Sequence, residues 1–266
     1  MVGSVCGRGG ATGRLTALGA RCAAWAVDLV RAAFPLACGS CGGSLAEGEA
    51  GELSLCDACS AACADCGEAF CLPCASRGGE PRRCPGLVRP VPGHVTLRAG
   101  FVWNEPVRAQ IHALKFGDAP ELGTTLARAA WDTPAFIDSP GRRPRPDLVV
   151  PVPLHPVRRR ERGYDQAALL ARAFADRAGV PDAGVLIRTR ATRQQASLGA
   201  RERRANVAGA FEVARSGLVR ARRIAVVDDV VTTGSTILAA VHALEEVGAS
   251  RVEGWCVAYE PSEGGA

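Results

Sequence analysis

The sequence predicts an α/β protein, a doubly wound and mainly parallel sheet with a small Cys-rich module on its N-terminal side. Three observations lead there. Short β-branched runs at 97–103, 147–150, 185–187, 223–227 and 252–258 alternate with longer stretches whose apolar residues recur at helical spacing. Composition is that of a packed chain, 47% hydrophobic over 266 residues, enough for one domain of ordinary size and a smaller module. Nine of the twelve cysteines fall between Cys38 and Cys84. The chain divides accordingly into a tail with an amphipathic helix (1–34), the Cys-rich module (35–84), a linker (85–96) and the α/β domain (97–260).

In chain order, the first apolar stretch is 15–36, interrupted by Arg21, Asp28 and Arg31. It is therefore neither a membrane span nor a signal peptide, and reads as an amphipathic helix presenting Leu18, Cys22, Trp25, Leu29 and Phe34. The expected location is the cytoplasm. Four Cys-x2-Cys pairs follow within about 40 residues, a density that points to metal. Two pairs complete a tetrahedron, so sequence order gives Cys38, Cys41, Cys56 and Cys59 to one zinc. The second set is Cys63, Cys66, Cys71 and Cys74, with Cys84 as a substitute ligand because the spacer is tight. Spacing alone leaves iron–sulfur ligation open, and disulfides are the alternative in an oxidising compartment. The module holds few large apolar residues, and metal binding on the order of 10 kcal/mol per site would supply its stability. Cys6, Cys22 and Cys256 lie outside this spacing and read as buried thiols.

The Pro-, Gly- and Arg-rich stretch 81–92 leads out of the module, and 97–103 is a first strand. Pro106 opens a helix with Val107, Ile111, Leu114 and Phe116 on its spacing and Gly117 at its end. Glu121–Trp131 is a second helix, 134–146 a loop, and 147–150 a buried strand. That strand runs into a proline-stiffened exit, 151–156, and an Arg-rich loop where Arg158, Arg160 and Arg162 converge. At a strand end, such a cluster suits charge-assisted bonds to pyrophosphate. Gln166–Ala178 is a helix with Leu169, Leu170 and Phe174 inward, and 185–187 a short strand of the same sheet. The polar, Arg-rich run 188–206 suits a loop that closes over an anionic substrate.

The richest segment is 225–238. An apolar strand ends at Asp228 and Asp229, then Thr232, Thr233, Gly234, Ser235 and Thr236 form a turn that opens a helix over 237–247, stopped by Gly248. Ligands bind at such strand ends in open α/β sheets. The helix start offers unpaired N–H groups and a positive dipole end to a phosphate, and the hydroxyls add donors. Both carboxylates are left facing a sugar, as acceptors for its hydroxyls. The residues thus read as a ribose-5-phosphate cradle. Strand 252–258 closes the sheet.

This segment closely resembles the 5-phosphoribosyl-1-pyrophosphate (PRPP) motif of type I phosphoribosyltransferases. Taken with Phe34-Pro35 before the cysteines, Leu114-Lys115-Phe116, the run 151–155, Arg162-Gly163-Tyr164-Asp165-Gln166, Gln195, Leu198, Arg203 and Asn206, and Gly209-Ala210-Phe211, the chain resembles the ComF/ComFC family from about 34 to 257. The resemblance implies a double zinc ribbon followed by a type I phosphoribosyltransferase domain. It implies Mg²⁺-PRPP bound by Asp228, Asp229, Val230 and 232–236, with the two aspartates catalytic. Lys115, Arg158, Arg160, Arg162 and Arg203 would stand near the pyrophosphate. Where the family usually has Arg-Gly-Phe-Asn-Gln, Tyr164 and Asp165 stand here, and the carboxylate takes away a donor. Trp103 stands where the family usually has Tyr.

Charge bears on partners. Of 32 basic residues only Lys115 is lysine, and 141–204 carries fifteen Arg against six acidic residues, a local excess that attracts polyanions. Two classes of function follow: a phosphoribosyl-transferring enzyme with an unnamed acceptor, or a non-catalytic PRPP or nucleotide binder that handles single-stranded DNA in competence or DNA metabolism. A PRPP-sensing regulator is a third, without an evident helix-turn-helix. A second copy of the chain or DNA-uptake machinery would be its protein partner.

Overall fold

The computed structural model describes residues 38, 41, 43, 56–75, 93–137, 145–189 and 209–261. The predicted helix at 15–36, Cys84, Arg203 and most of the linker and Arg-rich loop lie outside them. Among the described residues, four parallel strands form the body of one sheet: β2 (Thr96–Val102), β3 (Leu148–Pro151), β6 (Arg223–Val231) and β7 (Arg251–Tyr259), with β1 (Phe70–Cys71) antiparallel at one edge. The order across it is β1-β2-β7-β6-β3. The central strands β6 and β7 hold register from Arg223 opposite Arg251 to Val231 opposite Tyr259. Buried on both faces, Ile224–Val227 of β6 read as a continuous apolar run, while alternate residues still serve different layers.

Leu148, Val150, Ile224 and Val226 point to one face, covered by Ile237, Val241 and Leu244 of helix α7 (Ser235–Glu246). Val149, Ala225 and Val227 point to the other. There, helices α3 (Glu105–Phe116), α4 (Glu121–Trp131) and α6 (Gln166–Ala178) supply Ile111, Leu114, Leu126, Leu170 and Phe174. An aromatic group of Trp131, Phe136, Phe174 and Trp255 closes this second layer, with Phe136 stacked on Phe174 at 5.1 Å. Helices on both faces make the sheet doubly wound, as predicted.

Three local features depart from the sequence expectation. The predicted Arg-rich loop contains a helix, α5 (Pro156–Arg162). Its signals are in the sequence: His155 caps it by accepting from the Val157 N–H, Pro156 opens it, and Gly163 ends it at φ 77°. Strand β4 (Leu186–Arg188) does not join the main sheet. It pairs antiparallel with β5 (Phe211–Val213) as a separate two-stranded sheet.

The Cys-rich segment, finally, is stitched to the sheet through residues 64–72. After helix α1 (Asp57–Ala62), residues 64–71 run along the edge of β2: Val102 N donates to Ala64 O and Cys66 N to Gly100 O, each at 2.9 Å. Helix α2 (Leu72–Ala75) follows, its first N–H on Val95 O. At the opposite edge Val149 bonds through both main-chain groups to residues 181 and 183. No helix among the described residues is long and apolar enough to cross a membrane.

Candidate functional site

The phosphate-type turn lies where β6 becomes α7. Strand β6 runs past the acidic pair to Val231, so Asp228 and Asp229 lie inside it rather than at its end, with Val230 paired to Ala258 and Val231 to Tyr259. Thr232, Thr233 and Gly234 make the turn. Gly234 sits at φ 75°, a conformation that a β-carbon would strain, and Thr233 Oγ1 lies 2.8 Å from Ser235 Oγ. Asp228, Val230 and residues 231–237 line one hollow. A carboxylate at one end and a helix N-terminus with hydroxyls at the other can hold the two ends of a sugar phosphate.

Strand alternation separates the two aspartates. Asp228 follows the alternation of Ile224 and Val226 and lines the hollow; Asp229 follows that of Ala225 and Val227, under α3 and α6. Both carboxylates were expected to face the sugar, but both oxygens of Asp229 are already engaged. Lys115 Nζ donates to Oδ1 at 2.7 Å and Gln166 Nε2 to Oδ2 at 3.0 Å, in a pair whose side chains are 23% and 6% exposed. The structure thus places Lys115 on the acidic pair. Burial and the neighbouring Asp229 charge push the Asp228 carboxyl up to about 7, against the pull of Lys115 and Arg188.

The arginines divide. On α5, Arg160 is exposed and Arg158 and Arg162 half-buried, and the Arg162 guanidinium lies 4.8 Å over the exposed ring of Phe116. Its Nη1 is buried without a hydrogen-bond partner. Arg188, at the end of β4, was read only as part of a basic run. Its guanidinium stacks 5.5 Å over Phe211, and burial lowers its pKa while Asp228 raises it and Arg158 lowers it. Asp228, Arg188 and Arg158 therefore share one electrostatic neighbourhood. The signal that could have found Arg188 is its place at a strand end facing the motif.

The departures at Tyr164 and Asp165 both have structural employment. Tyr164 OH donates to Leu114 O, bracing the helix that carries Lys115. Asp165 caps α6, accepting from Ala168 N and Leu154 N at 3.2 Å each, so its carboxylate serves backbone donors.

Of the cysteines, Cys38, Cys41, Cys56 and Cys59 come together, all four sulfurs within 4.8 Å of one another. Cys41 Sγ and Cys56 Sγ are 3.8 Å apart, the edge of a tetrahedron with metal–sulfur bonds of about 2.3 Å. The N–H groups of Gly43 and Cys56 donate to Cys41 Sγ and Cys38 Sγ, the kind of outer support that thiolate ligands receive. This set can hold a metal ion. Of the second set, the Cys74 side chain lies outside the described residues; among those described, Cys63, Cys66 and Cys71 do not form such a group. Cys63 belongs to the cluster on the α3 face, where burial pushes its thiol up and Gln110 donates to it at 3.4 Å. Cys66 belongs to the cluster on the other face, with Phe70 and Leu72, and Cys71 is buried in β1. The short spacer spends its residues on pairing with β2.

Residues 164–266 match the family model described as a phosphoribosyl transferase domain. The chain is 32% identical over 190 residues to the DNA utilization protein YhgH of Salmonella typhi, covering 71% of this chain and 83% of that one. It is 32% identical over 215 residues to the protein of the same name in Escherichia coli strain K12, covering 78% and 91%. To Competence protein F of Haemophilus influenzae it is 33% identical over 156 residues, covering 58% and 68%.

Proposed function

This chain belongs to the ComF family, and on that footing we propose that it binds Mg²⁺-PRPP and passes the phosphoribosyl group to an acceptor, releasing pyrophosphate. The observation that carries the reading is the single hollow joining the Asp228 carboxylate to the N-terminal turn of α7. The 5′-phosphate sits on residues 232–236, receiving N–H and hydroxyl donors, while Asp228 accepts from a ribose hydroxyl. Asp229, held by Lys115 and Gln166, fixes the strand beneath and adds negative potential under the sugar.

In the reaction the C1–O bond to pyrophosphate breaks, a nucleophile forms its bond to C1, and the electron pair leaves with pyrophosphate. The carboxylates stabilise the positive charge that develops on the ring, and Arg158, Arg188 and Arg162 receive the charge of the leaving group. Mg²⁺ comes with the substrate and offsets the charge of its phosphates. A structural zinc on Cys38, Cys41, Cys56 and Cys59 suits a chain that works in the cytoplasm, where thiols stay reduced.

Isothermal titration with Mg²⁺-PRPP tests the assignment: wild type binds, and binding that survives the double change Asp228→Asn plus Asp229→Asn overturns it. A screen of nucleobases and amines for PRPP-dependent pyrophosphate release then names the acceptor. A second reading, single-stranded DNA handling, is favoured by the names of the relatives and by α5. Its exposed Arg159 and Arg160 border an open hollow of about 760 Å³ with Leu154, Pro156 and Gly163. A gel shift that weakens steeply with salt and is lost in Arg159→Ala plus Arg160→Ala supports it.

A further inference from the structure

We infer that Leu72, a residue of the Cys-rich segment, is a positioning residue for the phosphate-binding turn, so that this segment forms the back wall of the PRPP site. The inference rests on the proposed use of that turn. A β-carbon built at Gly234 would meet Leu72 Cδ2 at 2.6 Å, Cδ1 at 2.7 Å and Cγ at 2.8 Å. The isobutyl group therefore fills the space where every other residue type would carry a side chain. Gly234 is required twice over, by its φ of 75° and by this contact.

Leu72 is itself held firmly. It is fully buried, its N–H donates to Val95 O at 2.9 Å, and it directly follows β1, which pairs with β2. Phe70, two residues earlier, lies 4.8 Å from the ring of Tyr259, at the end of the strand beside β6. The wall is thus tied to β2 and β7, and β7 pairs with β6, the strand that delivers the turn. A turn that presents N–H groups to a phosphate loses affinity when those donors wander, because the cost of ordering them then falls on binding. Packing against Leu72 removes that freedom before the ligand arrives. The Cys-rich segment thereby contributes to ligand affinity without touching ligand.

The experiment compares full-length wild type with Leu72→Ala, Leu72→Met and, as a control, Leu126→Ala. Leu126 is equally buried but belongs to the opposite layer. Hydrogen exchange at the amides of 233–238 accelerates tenfold or more in Leu72→Ala, beyond any change in Leu126→Ala, while the amides of β6 and β7 stay protected and metal content is unchanged. Leu72→Met, of similar volume, stays within threefold of wild type; Leu72→Val replaces Leu72→Ala if that variant does not fold. In titrations the dissociation constant for Mg²⁺-PRPP rises tenfold or more in Leu72→Ala and not in Leu126→Ala. Equal exchange of the turn in both alanine variants overturns the inference. Wild type that takes up no Mg²⁺-PRPP overturns the proposed function instead, and the exchange comparison still decides whether Leu72 positions the turn.

Discussion

Replacing Lys115 by methionine keeps an aliphatic side chain of similar length on α3 and deletes the ammonium beside Asp229. The pair is short, 2.7 Å, and the carboxylate is 6% exposed, so its ion is left with Gln166 as the one remaining side-chain donor given above. Breaking a buried pair on one side costs about 3–5 kcal/mol; the lysine is 23% exposed, which places the expected loss near the lower figure, about 3 kcal/mol. For a domain of this size that is a fall of roughly 6–12 °C in Tm. Asp229→Asn in the Lys115→Met background removes the orphaned charge and recovers much of the loss. Urea unfolding of the four proteins of this cycle measures the coupling directly, expected at about 2 kcal/mol. A Lys115→Met cost below about 1 kcal/mol would mean that the pair is solvated like a surface bridge, and the reasoning fails. In the same proteins PRPP affinity should fall with Lys115→Met, because Asp229 no longer holds the strand beneath the sugar.

Asp228 sets a pH dependence of its own. Its carboxyl is raised from 3.8 to about 7 in the folded chain, so its contribution to stability is fullest below pH 4, declines as pH rises and levels off above 7. Affinity for Mg²⁺-PRPP runs the other way, rising as the carboxylate ionises through pH 7, and Asp228→Asn flattens the titration profile; an unchanged slope in that variant refutes the role. Gly234→Ala must accept φ 75° and displace Leu72, a cost of about 2–4 kcal/mol, with PRPP binding lost in isothermal titration. Metal analysis of the purified protein should give one equivalent per chain, removed by Cys38→Ser or Cys59→Ser. Two equivalents, one of them removed by Cys71→Ser, would restore the second thiolate set that the sequence suggested.

The strands, the helices on both faces and the turn were legible because each depends on local pattern. Periods of two and 3.6, a glycine after the last helical residue and a proline at the first are properties of neighbours in sequence. The Lys115–Asp229 pair was not, since it joins residues from α3 and β6 that only the packed sheet brings within reach. The same holds for Arg188: β4 looked like one more buried strand, and its antiparallel partner is Phe211–Val213, more than twenty residues further along the chain. Helix α5 was missed for a different reason, as the prolines before it suggested an extended exit while the one at position 156 is a helix opener. The acidic pair was read as a strand end with both carboxylates toward one ligand; β6 runs on past it, and adjacency in a strand sets the two side chains on opposite faces.

The antiparallel run of residues 64–71 along β2 has a consequence for anyone who would dissect this protein. An α/β domain started at residue 93 would carry β2 as a bare margin, with the main-chain groups of Gly100 and Val102 stripped of their partners. Such a margin is a template for joining a neighbour's strand, and the truncated domain should self-associate into sheets rather than remain dispersed. The cysteines thus sit in a piece of chain that covers this margin.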